Sequence, residues 1–199
     1  MVGLFGPTTR ASYRDLTGRG WAVGALLRPA AMPLFAEDPQ ALADEYVALD
    51  LPDLRESVIA AMWERGSQEE RYCRAVAAFT TWLADHGPAP EEEALLANRL
   101  ADAIDLDRDV LRVQDAAEQV GVSVRTAQRL ARRYVGASPG AMIRRRRLQE
   151  AAERLRFDAA LDIATLAAEL GYSDHAHLTR DFRTTLGMTP SHYRLDAPG

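Results

Sequence analysis

The sequence predicts a mainly α-helical protein on three observations. A pattern of apolar helix, glycine turn and capped helix occurs twice between Val113 and Tyr193. Amphipathic helical stripes fill most of the chain from position 40 onward. Alternating, strand-like residues are confined to the first 28 positions. The predicted architecture is two helix-turn-helix units joined by a long helix, preceded by a small helical bundle with two or three N-terminal β-strands.

The strand prediction covers about residues 2–28. Trp21, Val23, Ala25 and Leu27 alternate to give one apolar face, and Gly3, Gly6-Pro7, Gly18 and Gly20 punctuate turns before Pro29 and Pro33 end the pattern. Two or three strands are too few for an independent sheet domain. Helices are expected over about residues 40–106. A short one spans Gln40 to Tyr46. Leu54, Val58, Ile59, Met62 and Trp63 form one stripe. Tyr72, Val76, Phe79 and Leu83 form a second, closed by Gly87-Pro88. Leu95, Leu96, Leu100 and Ile104 form a third. Glu91-Glu92-Glu93 opens that third helix, where negative charge suits the helix dipole. Three such helices with short loops suggest a small bundle. Trp21, Trp63 and the lone cysteine, Cys73, are expected in the core.

The repeat follows. Its first copy runs Ala117-Glu118-Gln119-Val120-Gly121-Val122-Ser123, then an arginine-rich segment, then Gly136-Ala137-Ser138-Pro139. Its second runs Ala167-Ala168-Glu169-Leu170-Gly171-Tyr172-Ser173, then a similar segment, then Gly187-Met188-Thr189-Pro190. Gly121 and Gly171 stand where a helix ends with positive φ, and Ser123 and Ser173 where the next helix needs a side-chain oxygen. Two helices joined through a short glycine turn define a helix-turn-helix. In the first copy Val124, Ala127, Leu130, Ala131 and Tyr134 face inward, while Arg125, Gln128, Arg129 and Arg132 share the outer face. In the second, Leu178, Phe182 and Leu186 face inward, while Ala176, His177, Arg180, Arg183 and Thr184 point outward, with His175 nearer the buried side. Arg and Gln pair bidentately with guanine and adenine edges in the major groove.

Between the copies, Ser138 caps and Pro139 starts a helix running to Phe157. Its Arg144–Arg147 run suits a solvated face, with Arg146 meeting Glu150 and Glu150 meeting Arg154 at i+4 spacing. Between two readers, part of the run is expected near phosphates, and Arg147 beside Leu148 is expected to be structural.

At these residues the chain resembles the AraC/XylS family of bacterial transcription regulators. The carrying features are Ala117-x-x-Val120-Gly121-x-Ser123, Ser123-Val-Arg-Thr-Ala-Gln-Arg129, Arg147-Leu148, Gly171-Tyr-Ser-Asp-His-Ala-His-Leu-Thr-Arg-Asp-Phe182 and Gly187-Met-Thr-Pro-Ser-His-Tyr-Arg194, over roughly residues 109–196. The resemblance implies two readers inserted into successive major grooves on one face of DNA. It implies base contact by Arg125, Gln128 and Arg129 in the first reader, and by His175, Ala176, His177 and Arg180 in the second, with Thr179 nearer the phosphates. The family usually has large apolar residues where Ala127 and Ala131 stand, so an underfilled first core is expected. It often has Gln where His175 stands. Phe5-Gly6-Pro7-Thr8-Thr9 and Gly24-Ala25-Leu26-Leu27-Arg28-Pro29 more weakly resemble the end of the family's sensor domain, which implies a cupin-like barrel followed by helices. The expected division is therefore 1–108, a truncated sensor or dimerisation region, and 109–199, the DNA-binding domain.

Charge agrees with that division. Residues 1–109 carry 10 Arg and 19 acids, net −9, and residues 110–199 carry 14 Arg and 10 acids, net +4, within a chain of net charge −5. An acidic partner module beside a basic DNA module is the expectation. No apolar run approaches the ~20 residues of a membrane span. No N-terminal signal pattern is visible and one cysteine allows no internal disulfide, so the cytoplasm is expected. His175 and His177 diverge on a helix with no third ligand at metal spacing. No nucleophile motif or phosphate-cradling glycine loop occurs. Neither an enzyme, a cofactor nor a metal is expected. The expected partner is double-stranded promoter DNA, with RNA polymerase, a small-molecule effector and a second copy of the chain as further partners. The alternative is a ligand-responsive interaction protein that pairs with and silences a full-length relative, motivated by the two alanines and the short sensor.

Overall fold

The computed structural model describes residues 1–11, 20–87, 89–158 and 160–196. The elements run β1 (Val2–Phe5), β2 (Tyr46–Leu49), α1 (Pro52–Trp63), α2 (Gln68–His86), α3 (Glu92–Leu106), α4 (Val113–Val120), α5 (Val124–Tyr134), α6 (Pro139–Phe157), α7 (Ile163–Glu169), α8 (His175–Leu186) and α9 (Pro190–Asp196), with 3-10 turns at Pro29–Leu34 and Pro39–Leu42. The chain is mainly α. The two helix-turn-helix units are α4–α5 and α7–α8, with α6 between them.

The N-terminal region departs from expectation. β1 pairs antiparallel with β2, from Val2 opposite Leu49 to Phe5 opposite Tyr46. β2 falls at the end of the expected Gln40–Tyr46 helix, which is only the turn Pro39–Leu42. Residues 20–28 form no strand, and Leu26 is 97% exposed. Alternation supplies a strand with a face but not with a neighbour, and here the place beside β1 is taken by a segment from further along the chain. The described residues hold this two-stranded ribbon rather than a barrel. Gly18 and Pro88, expected at turns, lie outside the described residues.

The expected three-helix bundle is a two-helix hairpin. Leu54, Val58, Ala61 and Met62 of α1 pack with Ala75 and Trp82 of α2. Ser67 and Glu70 close the start of α2 in a reciprocal capping box. Ile59 and Trp63 point away from this core, Trp63 being 78% exposed, and Trp21, Tyr72, Val76 and Cys73 are exposed as well. The stripe that wins on α2 is Ala75, Ala78, Phe79 and Trp82, which turns Cys73 to the other side.

The third helix, α3, joins the next core instead. Ala94, Ala97, Leu100 and Ile104 form one buried cluster with Ala116 and Ala117 of α4, with Ala127, Leu130, Ala131 and Tyr134 of α5, and with Ile143 of α6. Leu95 is left exposed. Ala127 and Ala131 are therefore not underfilled: they are 0% and 1% exposed, and α3 covers them with alanines of its own. The second unit has a separate core of Leu148, Ala151, Leu155, Leu166, Ala167, Leu170, Tyr172, Leu178 and Phe182.

The duplication extends to the backbone. Gly121 and Gly171 have φ of 75° and 71°, and Gly136 and Gly187 of 77° and 78°. Val122 N–H donates to Ala117 O and Tyr172 N–H to Ala167 O, both at 2.9 Å. These are equivalent helix-ending bonds across a left-handed residue. Gly136 is needed twice over, because a Cβ there would also run into the backbone of Pro39. At Gly171 a Cβ would stand 2.9 Å from Leu111 Cδ1, in the loop between α3 and α4.

Two stability outcomes follow from this packing. Ala127→Leu is expected to destabilise by about 1–3 kcal/mol by overpacking against α3. Gly136→Ala is expected to cost about 1–3 kcal/mol from the left-handed backbone alone, and more from the Pro39 clash. Denaturant unfolding of each variant measures both.

Candidate nucleic-acid interface

Each candidate helix is started by a side-chain cap, ended at or next to a left-handed glycine and held down by a buried underside. Ser123 Oγ accepts from Thr126 N–H at the start of α5. At α8 the cap is Asp174, whose carboxylate accepts from His177 N–H at 2.7 Å, and not Ser173, one residue earlier. The extra residue in the second turn moves the cap by one position. Below, Leu130 and Tyr134 hold α5, and Leu178 and Phe182 hold α8.

The outer face of α5 comes out as the helical spacing predicts, while on α8 His175 and His177 exchange their expected exposures. Arg125, Gln128, Arg129 and Arg132 are all exposed on α5. On α8, His175, Ala176, Arg180 and Arg183 are exposed, with His175 further out than its spacing suggested. His177 and Thr179 are half-buried. The Thr179 hydroxyl donates to His175 O at 2.8 Å, so its proton already serves the helix. His177 lies 3.2 Å from Ser173 Oγ, edge-on to Tyr172, and 4.0 Å from Asp181. Arg125, Arg132, Arg180 and Arg183 form no salt bridge among the described residues. The charges of Arg125, Arg132 and Arg183 are available to an anionic partner, and that of Arg180 also acts on the Asp174 carboxylate.

Arg129 has a partner that the sequence did not disclose. Its Nη1 donates to Glu93 Oε2 at 2.7 Å, and Arg133 Nη1 donates to Glu93 Oε1 at 2.7 Å. The Tyr134 hydroxyl also donates to Oε1, at 3.3 Å. The hydrogen bond from Arg129 is the main reason the Glu93 carboxyl sits below its ordinary value, against a smaller opposing effect of burial. Glu93 lies in the acidic run at the start of α3, whose dipole role was legible; the helix it faces was not.

The arginine run on α6 divides by position. Arg146 is buried, donates to Val110 O at 2.8 Å and lies 4.0 Å from Glu150. It is not part of a solvated face. Arg147 stacks its guanidinium 3.8 Å from the centre of the Tyr172 ring, a structural role on the second unit. Burial pushes the Tyr172 phenol up to about 12. Arg144 reaches Asp181 of α8 at 3.5 Å, and Arg145 is exposed. Arg154 pairs with Glu169 rather than Glu150.

Among the described residues, no three His, Cys, Asp or Glu side chains converge as metal ligands, and no helix is long and apolar enough to cross a membrane. The fold and the paired outer faces define a double helix-turn-helix protein. A model of a helix-turn-helix domain matches residues 116–196. The chain is 34% identical over 89 residues to the HTH-type transcriptional activator AarP of Providencia stuartii, covering 45% of this chain and 65% of that protein. It is 31% identical over 84 residues to the probable transcription factor PqrA of Proteus vulgaris, covering 42% of this chain and 68% of that protein. It is 34% identical over 109 residues to the regulatory protein PocR of Salmonella typhimurium, covering 54% of this chain and 35% of that protein. The chain thus spans just under two thirds of AarP and about a third of PocR. No solved structure matches it. The chain belongs to the AraC/XylS family of transcription regulators, a family of DNA-binding proteins rather than enzymes.

The Glu93 cluster has a pH signature. A carboxylate whose pKa is depressed by folding adds stability above its unfolded-state value, ordinarily 4.5, and loses it as pH falls through the folded-state value. Glu93→Gln is therefore expected to lower Tm at pH 7 by no more than about 2–4 °C, as for a surface pair. The difference should close below pH 4.5, as thermal scans at pH 7, 5 and 3.5 would register.

Proposed function

We propose that this chain binds double-stranded promoter DNA sequence-selectively, with α5 and α8 entering successive major grooves on one face of the duplex. The observation that carries this reading is the matched pair of outer faces: Arg125, Gln128, Arg129 and Arg132 on one reader, and His175, Ala176, His177, Arg180 and Arg183 on the other. Each face stands on a capped helix with a buried underside, in a family of DNA-binding regulators. Base-edge contacts by these side chains select the site, while arginine–phosphate contacts supply most of the affinity and its salt dependence. Thr179 stands nearer the phosphates and contributes to position rather than to base choice.

The organisation is a sensor or dimerisation region over roughly the first half and a DNA-binding module over the second. The packing of α3 into the first reader's core supports counting α3 with that module. Bound at a promoter in the cytoplasm, the chain recruits or blocks RNA polymerase according to where the site lies. A small-molecule effector and a second copy of the chain act through the first half. The rival reading, a protein that pairs with and silences a full-length relative, drew on the alanines at 127 and 131. With α3 packed over both, that motive weakens.

A duplex enriched from a random pool by the wild-type chain supplies the test. Binding of that duplex and of a scrambled one, by fluorescence anisotropy, should differ in affinity, and affinity for both should fall steeply with salt. Contact points should be separated by one helical turn, about 34 Å. Arg129→Ala and Arg180→Ala should each relax base choice at one position and cost ~1–3 kcal/mol on the selected duplex. Equal weakening on both duplexes would remove these two residues from base reading.

A further inference from the structure

Three donors on the first reader converge on one acid from another helix. Arg129 and Arg133 each give one Nη1 to a different oxygen of Glu93, both at 2.7 Å, and Tyr134 adds its hydroxyl. Glu93 is not a drifting surface acid. The next residue, Ala94, is in the buried cluster that binds α3 to α5, and Tyr134 is in that cluster too. The carboxylate is thus held at a set position against the flank of α5. The Arg129 side chain nonetheless stays 53% exposed, against 30% for Glu93. The pair is open on the side that faces away from the core.

We propose that Glu93 is a specificity-determining positioning residue for the first reader. It grips Arg129 by one nitrogen and so aims the free side of the guanidinium at base edges, while its charge keeps Arg129 and Arg133 from the phosphates that any duplex presents. This rests on the reading that α5 enters the major groove. The chemistry is that of a planar, five-donor fork: with Nη1 committed to Glu93, the Nη2 and Nε donors remain for two parallel bonds to a guanine O6 and N7. An untethered arginine on the same helix can swing to the nearest phosphate, a contact that carries no sequence information. A carboxylate beside two arginines also repels the duplex backbone, so it lowers affinity for random DNA more than for the site it helps read.

The experiment uses the full chain with the selected and scrambled duplexes described above. Glu93→Gln keeps the shape and removes the charge. At about 100 mM salt it should bind the scrambled duplex roughly 3–10-fold tighter, with a slope of log affinity against log salt steeper by about 1–2. The ratio of selected to scrambled affinity should fall roughly 5–20-fold, and the lost discrimination should map to the base pair that Arg129→Ala also relaxes. In an Arg129→Ala background, Glu93→Gln should no longer change that ratio. A merely structural role for Glu93 would lower the ratio equally in both backgrounds and would overturn the inference. So would an unchanged ratio and slope in a wild-type chain that does discriminate, which leaves the DNA-reading proposal standing. A wild-type chain that binds both duplexes alike would overturn both.

Discussion

The packing of α3 against α5 is the constraint on which the rest depends. Two small-residue surfaces, Ala94 and Ala97 on one side and Ala127 and Ala131 on the other, share one buried cluster. A missing methylene in a close-packed core is felt as lost contacts, so paired alanines form a sound core only where the opposing helix follows them in. Here it does. Glu93 is thereby brought beside Arg129, and the loop after α3 is carried to α6.

That loop couples the two halves of the repeat. Arg146 on α6 donates to Val110 O, Arg108 lies 3.6 Å from Glu150 on the same helix, and Leu111 packs where a side chain at Gly171 would stand. Burying a guanidinium is costly unless it is hydrogen-bonded. Arg146 makes the bond to Val110 O and lies 4.0 Å from the Glu150 carboxylate. It ties the loop after α3 to α6. On the far side, the Arg147–Tyr172 stack and the Arg144–Asp181 pair hold the second helix-turn-helix unit to the same helix. The first half of the chain also reaches across: Ala11 N–H donates to Thr185 O at 2.6 Å near the end of α8, and Pro39 lies against Gly136 just after α5.

Electrostatics follow the same division of labour. The chain is acidic as a whole, yet Arg125, Arg132, Arg180 and Arg183 stand on the outer faces without a salt bridge among the described residues. Exposed pairs such as Arg129–Glu93 contribute little to stability, about 0–1 kcal/mol. Their consequence is orientation, since each bond removes rotamer freedom from a long side chain.

Local sequence determined the parts whose signals are local. The four glycines, the Ser123 cap, the inward stripes of α5 and α8 and the outward Arg125, Gln128, Arg129 and Arg180 follow from helical period and turn chemistry, which act over a few residues. The motif order from Ala117 to Arg194 marks the AraC/XylS family on sequence alone. Tertiary structure decided whatever required knowing a distant partner. Residues 20–28 alternate like a strand but gain no neighbour, while Tyr46–Leu49 pairs with β1 across about forty residues of chain. Trp63 and Cys73 carry core-type side chains on exposed faces. Ala127 and Ala131 suggest a void until α3 fills it, and the Glu91–Glu93 run marks the start of α3, as its charge suggests, without showing that Arg129 and Arg133 stand beside it. A periodic pattern shows which face of an element is apolar; only the assembled chain shows what covers that face, because burial belongs to pairs of surfaces and a single segment carries just one of them.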